Sequence, residues 1–179
     1  MSIVKKFTLL LVVVIASAKV WGQGASSPFT TYGVGDPYGN SLIHNQGMGG
    51  TGVSQPQYWF LNNQNPALLV FNTLTVFEAG VIVESRNLSS STGVNEQSRG
   101  GNMNYLATAF PIKPTKWTTS IGLMPYTNVD YGFEYQETDE NDVTIVYREQ
   151  GLGGLSQVYW SNGVRLSKSL SIGLKASYI

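Results

Sequence analysis

The stretch Trp117-Thr-Thr-Ser-Ile-Gly-Leu-Met-Pro-Tyr-Thr-Asn-Val-Asp-Tyr-Gly-Phe-Glu-Tyr135 decides the fold. Its odd positions, Trp117, Thr119, Ile121, Leu123, Pro125, Thr127, Val129, Tyr131, Phe133 and Tyr135, are mostly apolar. Its even positions, from Thr118, Ser120, Gly122 and Met124 to Asp130, Gly132 and Glu134, are mostly polar or small. Side chains alternate between the two faces of a strand, so one face is greasy and the other wet. Aromatic residues mark both ends of the greasy face, where the girdles of a transmembrane β-barrel would lie.

The same period recurs outward from this stretch. Leu170–Ile179 puts Leu170, Ile172, Leu174, Ala176 and Tyr178 on one face and Ser171, Gly173, Lys175 and Ser177 on the other. Lys175 would be costly in a sandwich core and is comfortable in a hydrated lumen. Weaker alternation covers residues 75–85, 102–112 and 155–166, and Val143–Arg148 is read as a strand extension beyond the membrane. Connections run long (88–101), short (112–116), long (136–154), short (167–169), as outer loops and periplasmic turns alternate in outer-membrane barrels. A soluble all-β sandwich is the competing fold. Low charge, aromatic placement and a strand approaching twenty residues argue against it. The expected fold class is therefore all-β, a transmembrane antiparallel barrel. About five strands are present where closed barrels start at about eight, so the chain is read as the N-terminal fragment of a longer one.

Composition agrees. Of 179 residues, 42% are apolar and only 12% charged, against roughly 25% charged in ordinary soluble domains. Net charge is zero, with no basic stripe, so no nucleic-acid partner is expected. Cysteine is absent, which excludes disulfides, thiol catalysis and a lipoprotein anchor. Lys5 and Lys6 followed by the apolar run Phe7–Ala18 read as a signal peptide, too short for the ~20 residues of a spanning helix. Cleavage after Ala18 or after Gly22 fits; the second is preferred, giving a leader at 1–22. Residues 23–73 do not alternate and are dense in Gly, Asn, Pro and Gln, so they form a loop-rich segment before the strands at 74–179.

Chemistry is sparse. Gly47-Met48-Gly49-Gly50-Thr51-Gly52 satisfies the dinucleotide pattern G-x-G-x-x-G but lacks the βαβ setting that gives it meaning. The single histidine, His44, reads as a loop histidine, and no nucleophile motif places it with Ser54 or Asp36. Metal-ligand spacing is absent. No enzyme activity, cofactor or metal is expected. Glu78, Glu84, Arg86, Asp130, Glu134 and Lys175 read as lumen-lining charges.

Gln46–Val53 followed by Asn62-Asn63-Gln64-Asn65-Pro66-Ala67 resembles the N-terminal hatch of FadL-type outer-membrane transporters. Ile121-Gly122-Leu123-Met124-Pro125-Tyr126 resembles that family's third-strand pattern, and Ser27–Asp36 is similar to the opening of its Bacteroidota branch. The resemblance implies a plugged barrel in the bacterial outer membrane, in contact with its lipid, passing hydrophobic small molecules such as long-chain fatty acids by plug-gated diffusion. It assigns Gly47, Gly49, Gly50, Gly52, Asn65, Pro66 and Ala67 to the hatch, and Gly122 and Pro125 to a lateral gate. Pro125 lacks the N–H its neighbour would accept, which also fits a plain bulge. Ser54–Phe60 departs from the usual hatch wording. The alternative function is a FadL-like barrel serving as a non-transporting structural or partner subunit of an outer-membrane secretion or assembly complex, with protein partners unspecified.

Overall fold

The computed structural model describes residues 24–89, 93, 95–139 and 143–179; the leader expected at 1–22 lies outside them. The chain is all-β. Its strands are β1 (Asp36–Pro37), β2 (Val76–Ser89), β3 (Asn95–Lys113), β4 (Trp117–Pro125), β5 (Thr127–Thr138), β6 (Thr144–Gly153), β7 (Ser156–Arg165) and β8 (Ser171–Tyr178). A one-turn helix α1 (Ile43–Gln46) and 3-10 helices at Pro28–Thr31 and Pro66–Phe71 lie in the N-terminal segment.

One antiparallel sheet runs β2-β3-β4-β7-β8, and a second runs β1-β5-β6. The larger sheet is open among the described residues, with β2 and β8 at its edges. Two expectations change here. The long loops expected at 88–101 and 136–154 are largely strand: Ser89 pairs with Asn95 and Thr138 with Thr144, so both hairpins continue almost to their tips. Backbone pairing needs no apolar side chain, so the ladders continue through polar residues such as Ser89, Asn95, Thr138 and Thr144, and the alternation read at Val143–Arg148 falls in β6 from Thr144 on.

The long strand expected at 117–135 is interrupted at Tyr126. Pro125 is opposite Ser156, but Val129 is opposite Gly153, so three residues on one strand face two on the other. The backbone N–H groups of Tyr126 and Thr127 both donate to the Leu155 carbonyl, at 2.7 and 3.1 Å. Gly154, at φ 143, brings its backbone against the Thr127 carbonyl, where a Cβ could not fit. This is a bulge, and it lets the β5–β6 hairpin depart from the wall formed by β4 and β7.

Burial is inverted relative to a water-soluble sheet. Thr118, Ser120, Asn104, Gln157 and Ser161 are buried, while Phe77, Val81, Val83, Ile121, Leu123, Trp160, Ile172 and Leu174 are exposed. The buried face is covered by the N-terminal segment, whose Leu42, Leu61 and Leu69 pack on Tyr105, Ala107, Ala109, Met124 and Tyr159.

Candidate functional site

The N-terminal segment is seated on the inward face of the sheet, and its glycines and asparagines explain how. Gly49 and Gly50 adopt φ 72 and 81, turning the chain back after α1, with the Gly50 N–H on the Asn45 carbonyl at 2.8 Å. Such φ values suit glycine. Gly52 touches the Asn45 side chain, leaving no room for a Cβ, and Asn45 Nδ2 donates to the Thr51 carbonyl at 2.8 Å.

The asparagines then act as staples. Asn62 Nδ2 donates to the Gly52 carbonyl at 2.6 Å, and its Oδ1 accepts from the Gln64 and Asn65 N–H groups at 3.0 and 2.9 Å. Asn65 caps the Pro66–Phe71 helix, its Oδ1 accepting from the Ala67 N–H at 3.1 Å, while Pro66 occupies a position that needs no donor. Asn72 Nδ2 faces three carbonyls, those of Gln57, Tyr58 and Phe60, at 3.1–3.3 Å. Buried backbone groups outside regular structure must be paired, and short amides do this at little entropic cost.

The sheet is shaped to receive this helix. Gly163 of β7 and Gly173 of β8 are cross-strand partners. A Cβ on Gly163 would strike the Pro66 carbonyl, and one on Gly173 would lie 2.8 Å from Pro66 Cβ. The pair forms a depression that Pro66 and Ala67 fill. Gly122 instead makes room within the wall, since it is opposite Tyr159, whose ring lies where a Cβ would be, at 2.6 Å. Gly80 and Gly151 accommodate Tyr105 and Tyr131 in the same way.

Inward charges serve the same seating. Glu78 accepts from the Leu61 N–H and from the Tyr105 hydroxyl at 3.0 Å. Arg86 bridges Asp36 and Glu84. Lys175 lies 4.8 Å from the Tyr159 ring centre and 3.4 Å from Asn40 Oδ1. His44 stacks on Phe60 at 5.0 Å, neither ring nitrogen has a hydrogen-bond partner, and burial holds its pKa below the ordinary value. Ser54 is exposed and Asp36 is engaged by Arg86. Among the described residues no group of three or more His, Cys, Asp or Glu could hold a metal. No helix among them is long and apolar enough to cross a membrane, a statement that does not bear on strands.

The structure places Gly47, Gly49, Gly50 and Gly52 in the turn after α1, tied through Asn62 and Gln64 to the stretch that holds Asn65, Pro66 and Ala67, and places Gly122 and Pro125 in β4. Sequence reasoning quoted Asn62 within the hatch motif without giving it a role, and missed Asn72, Gly163 and Gly173 as parts of the seat. Their signal was present only as glycines on the polar face of two neighbouring strands and a run of asparagines.

A protein-family model described as BamG matches residues 3–179. No curated protein and no solved structure matches the chain. The family match overturns the FadL-type resemblance, and with it fatty-acid transport and porin-like diffusion, and it lends the expected hydrophobic small-molecule ligand no support. The physical reason lies in the motifs themselves. The Gly-rich turn and Asn-Pro-Ala are devices for capping a short helix and seating it on a glycine depression, so they encode packing and say nothing of cargo.

Proposed function

This chain belongs to the BamG family, named for a component of the β-barrel assembly machinery, and from that premise we propose that it is a structural, partner-binding subunit of that machinery at the outer membrane. The family match over residues 3–179 is the observation that carries the reading. The role is non-enzymatic: the subunit acts by holding protein partners rather than by making or breaking bonds.

The inverted burial supports a finer proposal. An exposed apolar face with a polar inner face is the arrangement of a strand wall in lipid, where every backbone group must find its partner within the sheet. We take the five-stranded sheet as part of a transmembrane barrel, residues 23–73 as its plug, and residues 1–22 as its export leader. In this arrangement the Pro125 break is an exit for the β5–β6 hairpin from the wall.

The test is purification of the affinity-tagged full-length protein from its native membrane in mild detergent. Stoichiometric recovery of known β-barrel assembly subunits is expected. Recovery of the tagged barrel alone, under conditions in which those subunits stay joined to one another, would sink the proposal.

A further inference from the structure

The β5–β6 hairpin carries a ladder of aromatic rings on one face. Tyr131 and Phe133 stack at 5.9 Å, Phe133 and Tyr135 at 6.4 Å, and Tyr135 and Tyr147 at 5.0 Å. Tyr131 is anchored over Gly151 across the pair. Tyr135 and Tyr147 nevertheless remain 44% and 38% exposed. Glu134, Arg148 and Gln150 on the opposite face line a cleft shared with Ser26 and Phe29 of the N-terminal segment, which Phe133 also borders.

Strand length removes this ladder from the lipid. A tilted strand crosses the hydrocarbon in ~9–11 residues, and the nine residues of β4 supply that crossing. Tyr135 lies ten residues past Pro125, on the order of 30 Å further along the strand. A girdle belongs at the interface, and the ladder extends well beyond it.

Charge says what would cover it. Six of the chain's eleven acidic residues fall between Tyr131 and Gln150, alongside one base, Arg148. Alternation puts Glu137 and Glu149 on the ladder face, and the Tyr135 hydroxyl donates to Glu149 at 3.3 Å. Arg148 is on the other face, paired with Glu134. The ladder face therefore has aromatic rings and carboxylates and, among the described residues, no cation of its own.

We propose that the face of the β5–β6 hairpin carrying Tyr131, Phe133, Tyr135 and Tyr147 is a docking surface for a protein partner that presents arginine or lysine side chains. Ring faces attract guanidinium and ammonium groups, adjacent carboxylates accept their hydrogen bonds, and rigid aromatic anchors dominate protein interfaces. The inference rests on the subunit reading above and names the surface that would serve it.

A photo-crosslinking residue at Ile145, exposed on the same face, tests it in the full-length protein in its native membrane, with Ile121 on the lipid-facing wall as control. The Ile145 probe is expected to give a protein adduct whose crosslinked peptide contains Arg or Lys. Its yield should fall at least about fivefold in Glu137→Lys/Glu149→Lys and in Phe133→Ser/Tyr135→Ser, with membrane insertion and melting unchanged. A lipid adduct, no adduct, or yields unmoved by both variants would overturn the proposal. Recovery of the assembly machinery is read separately in the same preparation. Machinery recovered without an Ile145 protein adduct removes this docking surface and leaves the subunit role, whereas a charge-dependent adduct to a basic protein outside the machinery does the reverse.

Discussion

Replacing Gly163 by alanine should unseat the N-terminal segment. The added Cβ would fall within van der Waals contact of the Pro66 carbonyl oxygen and 3.1 Å from Leu69 Cβ. Neither neighbour is the free end of a flexible chain. Pro66 is held by the Asn65 cap, and Leu69 is 1% exposed, packed between the N-terminal segment and the sheet. The 3-10 helix must therefore rise by about 1 Å, and overpacking of this kind costs ~1–3 kcal/mol. Lifting also begins to uncover Leu69 and Val70, each worth ~1.5–3 kcal/mol when fully buried, so a total near 3 kcal/mol is expected. At ~2–4 °C per kcal/mol for a domain of this size, the apparent melting temperature in detergent should drop by roughly 6–12 °C. Gly173→Ala should behave alike, because its Cβ would meet the Pro66 and Ala67 backbone. The control is Gly101→Ala in β3, where the nearest atom is 3.6 Å away and the new methyl is accommodated. Gly163→Ala melting with the wild type and Gly101→Ala would refute the seating argument.

Other perturbations probe the same packing. His44 is held below its ordinary pKa by burial, so the unfolded chain binds the proton more readily than the folded one. Stability should therefore decline as pH falls below about 6.5 and level off once the folded-state pKa is passed. Melting of wild type and His44→Phe compared from pH 8 to pH 5 checks this; parallel profiles would contradict it. Asn72→Ala removes the amide shared by the Gln57, Tyr58 and Phe60 carbonyls, at a cost of ~1–3 kcal/mol for unpaired buried groups. Limited proteolysis should then cut within 57–60 sooner than in the wild type, and unchanged cleavage would count against the staple.

Much of the wall was legible in the sequence because period two is a one-dimensional signal. Ile121, Leu123, Val158, Trp160, Ile172 and Leu174 alternate with small and polar residues, and the structure exposes the first set and buries much of the second. The β5–β6 hairpin was legible in part: Tyr131, Phe133 and Tyr135 alternate with Gly132 and Glu134, and Val143–Arg148 was read as a strand extension, but nothing local announced that the two stretches pair with each other as far as Thr138 and Thr144. Nor was the seat: Gly163 and Gly173 are ten residues apart and become one depression only once β7 and β8 pair. Asn62 and Asn72 act on carbonyls ten to fifteen residues upstream, contacts that no local pattern announces. The Gly-rich and Asn-Pro-Ala motifs were visible, and they correctly marked a segment folded back on itself. Reading cargo into them asked packing residues to report a substrate.

The barrel proposal, and the docking surface argued from it, depend on the exposed apolar face of the sheet being the face that meets lipid. Single-tryptophan variants of the full-length protein, reconstituted in bilayers with brominated acyl chains, test that directly. Trp160, 57% exposed on the outer face of β7, should be strongly quenched, while Trp59, 72% exposed on the N-terminal segment, should not. Equal quenching of the two, or quenching of Trp59 alone, would contradict the placement of this wall in the membrane.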